Sequence, residues 1–237
     1  MRCSAYGSSM IVTLLGQKGG IGKSTTAICL AMEALQRGSD VLLVDADPQG
    51  TVRTWNEVAN ERGVAVPTVI AMGASMHRPG QLDVIASRYD LTIIDCPPRH
   101  GDIQRSALMI ADVAVLPCGP SAADAWALTA SLEIVAEAQT LRERLRSAIA
   151  ITRKQGRTTL GKSARAVLEQ SGVPVLRSEL SYRIAYQEAL AAGQGVAQHC
   201  PRDPSAHEVR ALLAELERFV HAEEASACYP TQAASAG

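Results

Sequence analysis

The sequence predicts an α/β fold in which one mostly parallel, twisted sheet is covered by helices on both faces. Two observations predict it. Apolar runs of strand length recur along the chain without the polar alternation of a half-solvated sheet. Between them lie stretches of helical length and spacing, as in consecutive βαβ units. MIVTLL (10–15) is the first strand and runs into a glycine-rich loop, after which Ser24 to Arg37 reads as a helix closed by Gly38. DVLLVD (40–45) is a buried strand, 51–63 a helix ending at glycine, and PTVIAM (67–72) a third strand. DLTIID (90–95) is stopped by Pro97 and Pro98, and DVAVLPC (112–118) is a fifth strand.

A long helix is expected over 124–146, with Leu128, Leu132, Val135, Leu141 and Leu145 on one face. AIAIT (148–152) is a sixth strand, 158–170 a helix, and ELSYR (179–183) a short edge strand. Ser205 and Glu208 have the spacing of a capping box that opens a last helix running to about Glu224. One domain is expected over 10–224, with a flexible start at 1–9 and a frayed tail at 225–237.

Composition narrows the class. Of 237 residues, 47% are hydrophobic and 20% charged, too apolar for a disordered chain. Aromatics are only 3%, so the core must be built mainly from Ala, Val, Leu and Ile. The net charge of −1 gives no global basic field, so nucleic-acid binding would need a local patch. Six cysteines, at 3, 29, 96, 118, 200 and 228, form no C-x-x-C pair and read as reduced cytosolic thiols. No signal peptide and no run of the roughly 20 apolar residues of a membrane span is evident.

The stretch GQKGGIGKST (16–25) carries the chemistry. A phosphate-binding loop reads G-x-x-x-x-G-K-[ST] between a strand and a helix. Here Gln17 stands where the first glycine belongs, and two lysines, Lys18 and Lys23, fall in one turn. Glycines at 19, 20 and 22 let backbone N–H groups turn inward around an anion, with Ile21 between them, and the helix start adds partial positive charge. Lys23 would meet the β- and γ-phosphates, Ser24 would ligate Mg²⁺, and Thr25 would reach an inner phosphate. Asp45, Asp47 and Asp95 all fall at carboxyl ends of strands, where ligands of such sheets collect. Asp45 and Asp95 are expected to hold Mg²⁺ through water, and Asp47 to orient the attacking water.

KGGIGKST, VLLVDADPQG and TIIDCPP together resemble the deviant Walker-A ATPases of the ParA/MinD superfamily, over nearly the whole chain. VLLVDADPQG is similar to the ParA branch, and ITRK (151–154) with the basic stretch after it looks most like the small plasmid partition ATPases. The resemblance implies an ATP- and Mg²⁺-dependent ATPase, slow without its partner. It implies that Lys18 is the signature lysine reaching the ATP of a second subunit, so that two nucleotides are sandwiched in a homodimer. It also implies that this dimer binds non-specific DNA, that a ParB-like partner on a cargo stimulates hydrolysis, and that the protein is cytoplasmic and nucleoid-associated. Two positions depart from the family pattern. Thr152 stands where many relatives carry an adenine-reading asparagine, and the loop after Asp95 reads Pro97-Pro98-Arg99-His100-Gly101.

From 153 to 183 seven basic residues face only two acidic ones. Lys154, Arg157, Lys162, Arg165 and Arg183 are therefore the expected DNA contacts, of a kind that binds phosphates without reading sequence. The last helix has an apolar face and an acidic one, which favours core packing over a MinD-like membrane role. KGGIGKSTT also reads like the nitrogenase-type iron proteins, but Cys96 and Cys118 lack the placement for a cluster. A metabolic ATP-dependent synthetase on the same fold is the other alternative.

Overall fold

A computed structural model describes residues 9–155 and 159–221; the side chains of residues 159–163 and of His221 lie outside that description. The elements are β1 (Met10–Leu14), α1 (Lys23–Gln36), β2 (Val41–Asp45), α2 (Thr51–Glu61), β3 (Thr68–Ala71), α3 (Leu82–Ala86), β4 (Leu91–Asp95) and α4 (Gly101–Leu108). They continue with β5 (Val113–Cys118), α5 (Ala122–Leu141), β6 (Arg146–Ile151), α6 (Thr159–Glu169), α7 (Ile184–Ala191), α8 (Val196–His199) and α9 (Pro204–His221).

The six strands make one sheet in the order β3-β2-β4-β1-β5-β6, with every pairing parallel. The period of two in a strand sends alternate side chains to opposite layers. Leu43, Ile93, Val113 and Val115 pack on one side with α1, α7 and α9; Leu42, Val44, Ile94, Ala114 and Leu116 pack on the other with α4 and α5. Both faces are buried, which is why the strands read as continuous apolar runs. The same register sets Asp45 opposite Asp95, at the carboxyl ends of adjacent strands.

Three expectations about local structure are corrected. The long helix ends at Leu141, where Arg142 leaves helical geometry, and β6 already begins at Arg146. Leu145 is buried in the turn between them, while Leu141 is 76% exposed. ELSYR forms no strand: Ser181 makes a single bridge to Lys154. Its neighbouring N–H groups are taken by carboxylates of α9, with Arg177 and Ser178 donating to Glu215 and Ser181 to Glu208. Glu208 therefore closes no capping box. Asp203 accepts from the Ser205 amide at 2.8 Å instead, and Pro204 opens α9. The apolar face of α9 packs as expected, with Leu212, Leu213 and Leu216 almost fully buried. Of the expected flexible start, Ser9 is tied by its hydroxyl to the Ala86 carbonyl. The expected tail at 225–237 lies outside the described residues.

One glycine shows how tightly the helices of the α1 side meet. Gly193, in the turn after α7, has φ +69, and a Cβ there would come within 2.5 Å of the Ala59 Cα in α2. Its neighbour Gln194 accepts a hydrogen bond from the Trp55 indole at 3.3 Å. A Gly193→Ala variant combines left-handed strain with a backbone clash and is expected to lose about 2 kcal/mol or more. Urea denaturation followed by circular dichroism measures it.

Candidate nucleotide-binding site

The loop 15–22 leaves β1 and turns directly into α1. Gly20 (φ +72) and Gly22 (φ +93) adopt left-handed conformations that only glycine takes freely. Gly22 caps α1 and has no side chain to accept from the first-turn N–H groups, so the cap residue leaves them open. The loop's carbonyls point elsewhere and are held. Lys23 Nζ donates to the Lys18 carbonyl at 3.1 Å, Arg153 Nη1 to that of Gly20 at 2.6 Å, and Thr152 Oγ1 to that of Ile21 at 2.8 Å.

A cleft of about 590 Å³ opens over this loop. Gly19, Gly20, Gly22, Lys23, Ser24 and Thr25 line it, with Asp47 beside them. Thr152, Arg153, Tyr182, Arg183, Tyr186 and Gln187 also line it, the first two in contact with the loop. Lys23 is 6% exposed; burial lowers its pKa, and the nearby Asp95 and Asp47 oppose that shift. Ile21 is buried, its side chain packed against Gly16, where a Cβ would meet it at 2.7 Å.

The two lysines part company. Lys18 is not in the lining of this cleft. Its ammonium turns to Asp124 Oδ1 at 2.5 Å, at the start of α5. Asp124 also accepts from the Ser121 amide and hydroxyl, in a capping box that opens α5. Burial opposes ionisation of Asp124, but the hydrogen bonds from Lys18 and Ser121 hold its pKa below the usual carboxylate value.

The three aspartates also separate. Asp45 is spent locally: its carboxylate accepts from the amides of Asp47 and Arg53 and from Arg53 Nε, which caps the start of α2. Asp47 is half-buried on the cleft wall, and its Oδ1 accepts from the Gln49 amide at 2.9 Å. Asp95 is fully buried, and among the described residues neither of its oxygens has a well-formed hydrogen bond, although the Ser24 hydroxyl lies close enough to lower its pKa. Burial raises its pKa to about 7; Ser24 and Lys23 pull it down, and Asp45 and Asp47 push it up. A buried carboxylate without a well-formed hydrogen bond, beside the Ser24 hydroxyl, suits a hard cation that keeps most of its waters.

Several contributing residues had no role assigned from the sequence. Gln17, in place of the motif's first glycine, donates by its side chain to Gln104 at 2.9 Å, and Gln104 donates to the Pro97 carbonyl at 2.7 Å. This buried relay joins the phosphate loop to the loop after Asp95. The Gln17 amide is held by the Ser131 hydroxyl. Asp124 was legible only as the fourth residue of S-x-x-D; Gln104 and Ser131 become neighbours only through the fold.

The expected DNA contacts are not a free basic patch. Lys154 pairs with Glu179, Arg165 with Glu179 at 3.0 Å and with the Leu176 carbonyl, and Arg183 with Glu208 at 3.1 Å. The carboxylates of Glu208 and Glu215 arrive from α9, outside the window over which the excess of bases was counted. Arg157 lies outside the described residues, as does the side chain of Lys162.

Loop, helix start, buried lysine and strand-end carboxylates define a phosphate-loop nucleotide-binding domain. More narrowly, residues 12–196 match the CobQ/CobB/MinD/ParA nucleotide-binding domain, and the chain belongs to that family. It is 30% identical to maintenance of carboxysome distribution protein A of Halothiobacillus neapolitanus, over 90% of this chain and 98% of that protein. It is 31% identical to the chromosome-partitioning ATPase Soj of Thermus thermophilus, over 86% of this chain and 94% of that one. Among solved structures it is similar to apo McdA of Cyanothece, with TM-score 0.71 and 20% identity over 87% of this chain and 99% of the other. Cobyrinic acid a,c-diamide synthase of Mycobacterium smegmatis gives TM-score 0.71 and 20% identity over 91% and 96% of the two chains.

Asp95 makes the site's electrostatics testable. The folded carboxyl titrates near 7 and its reference value is 3.8, so the folded chain holds more protons between those limits. Stability of the nucleotide-free protein therefore falls as pH rises across that window. Asp95→Asn removes the buried charge and is expected to raise stability at pH 8 by roughly 2 kcal/mol. The gain should shrink toward pH 4, which urea denaturation at a series of pH values checks.

Proposed function

We propose that this chain is an ATPase of the ParA type, in which ATP makes a sandwich dimer that binds DNA and positions a cargo. The observation that carries this reading is the direction of Lys18. A lysine serving its own nucleotide belongs in its own cleft, as Lys23 does; Lys18 turns out of that cleft and is held by Asp124. Released from Asp124, it is free to meet a γ-phosphate on a second copy, which makes assembly depend on the third phosphate.

The loop amides and Lys23 bind the phosphates, and Thr25 lies beside them. Ser24 and Asp95 are the residues that would hold Mg²⁺, with Asp45 behind them fixing the start of α2. Bound there, Mg²⁺ offsets phosphate charge. Asp47, on the cleft wall, orients a water whose oxygen attacks the γ-phosphorus as the bond to ADP breaks. Hydrolysis returns the dimer to monomers and releases DNA. Relatives named for carboxysome distribution and chromosome partitioning support a positioning role and leave the cargo open.

Two cysteines argue against the iron–sulfur alternative. Cys96 is fully buried, in hydrogen-bond contact with Thr13, its thiol pushed by burial to about 12, and Cys118 is buried in β5. The DNA surface is expected on the face of α6 and the 177–183 segment. Its affinity there is set by what remains after the pairing with Glu179 and Glu208, so it should be weak and strongly salt-dependent.

Light scattering with a non-hydrolysable ATP analogue tests the reading. The wild type should dimerise with the analogue and not with ADP, and Lys18→Ala should remain monomeric with both. A Lys18→Ala dimer of normal affinity would overturn it. Asp124→Asn keeps an oxygen for Ser121 but loosens the ion pair, and should dimerise at several-fold lower analogue concentration. Retention on DNA measured with ATP, ADP and no nucleotide separates a positioning ATPase, retained only with ATP, from a synthetase, retained in none.

A further inference from the structure

We infer that Arg153 is a positioning residue for the phosphate loop, holding it in its anion-binding shape from the end of β6. The inference rests on reading the loop as a nucleotide site, but not on the sandwich dimer. Three observations converge on this side chain. Its backbone is left-handed, with φ +54, a conformation uncommon for a residue with a long side chain. Its Nη1 donates to the Gly20 carbonyl at 2.6 Å, the carbonyl of the loop's first left-handed glycine. Its guanidinium lies over the Tyr182 ring, 5.6 Å from the centroid, although that tyrosine is itself 53% exposed.

Backbone strain at a surface arginine persists only when its surroundings over-determine it. Here two partners do so, the loop carbonyl and the tyrosine. The neighbouring Thr152 repeats the connection, its hydroxyl held by the Ile21 carbonyl at 2.8 Å. Successive carbonyls of the loop are thus drawn toward β6. A peptide whose carbonyl is drawn one way presents its N–H the other way, so the amides following Gly20 and Ile21 are turned toward the anion side. Without these anchors the glycines would make the loop free to invert its peptides, and that ordering cost would fall on nucleotide binding.

Tyr182 gives the anchor a second end. Tyr182 donates its amide to the Lys154 carbonyl, and Lys154 donates its own to the Leu180 carbonyl. Arg153 by its side chain, and Lys154 beside it by its backbone, therefore tie the phosphate loop to the 177–183 segment. Thr152 is also accounted for: its hydroxyl hydrogen is committed to the Ile21 carbonyl, so toward a base its oxygen can act only as an acceptor.

Binding of fluorescent (mant) ADP and ATP to the monomeric protein tests the assignment. Arg153→Asn is the informative variant, since asparagine tolerates the left-handed backbone and lacks the guanidinium. It should weaken mant-ADP and mant-ATP by the same factor, roughly tenfold, the scale of one charge-assisted hydrogen bond. It should raise KM for ATP with little change in kcat. Arg153→Lys should restore part of the affinity, and Tyr182→Leu should weaken both nucleotides by a smaller factor. Loss confined to mant-ATP would mean a direct γ-phosphate contact and overturn the positioning role, as would unchanged affinity for both nucleotides. If nucleotide binds normally but no dimer forms with ATP, the sandwich reading fails while this one stands.

Discussion

A fully buried carboxylate without a well-formed hydrogen bond among the described residues stands at the end of β4, and the site is organised around it. Asp95 is fully buried between the ends of β1 and β2. An ionised carboxylate in such a place is costly unless something cationic stands against it. Among the described residues Ser24 and Lys23 stabilise its charge, and burial lowers the pKa of Lys23 in turn. Each favours the other's ionisation, while burial opposes it in both. Ligands that bring both a cation and a polyanion relieve both at once. The folded state tolerates that strain because two apolar layers close the sheet on either side.

The rest of the loop's construction follows from keeping this centre open. The polar groups that could collapse onto it are drawn off in other directions: the carbonyls of Gly20 and Ile21 toward β6, Asp45 toward α2, Gln17 toward Gln104. Lys18 is drawn off too, by an aspartate that also caps α5. Gly119 makes that arrangement possible, because a Cβ there would meet Asp124 Oδ2 at 2.4 Å. What remains facing the cleft is the set of groups that binds phosphate.

How much of this was legible in the sequence depended on the range of the interactions involved. The six strands were readable because burial on both faces leaves uninterrupted runs such as VLLVD and LTIID. The glycine loop was readable because its chemistry is local. Local signals also misled. The apolar pattern through Leu141 and Leu145 continued across a helix end, since a buried turn and a buried helix face have the same composition. The spacing from Ser205 to Glu208 imitated a capping box, yet Glu208 serves Ser181, Arg183 and Tyr186. The basic excess over 153–183 was a property of a window in the chain, but Glu179 within it pairs with both Lys154 and Arg165, and Glu208 of α9 takes Arg183 from across the fold. The short helices α3, α7 and α8 left no periodicity long enough to detect.

The division between the two lysines has a physical logic that one lysine would lack. A single cation must serve both ground-state binding and the response to the third phosphate, and it would bind ADP and ATP with little difference. Lys23, buried at the loop's end, suits the part common to both nucleotides. Lys18, 41% exposed in its side chain and paired at the surface, is held by an interaction that water and salt already weaken. Its release is therefore inexpensive compared with that of a buried pair. In the proposed dimer this contact is broken and remade at each turnover, and such a contact is better built at a half-exposed edge than in the core. The aspartate that holds it is also structural, so deleting its side chain altogether would loosen the start of α5 along with the latch.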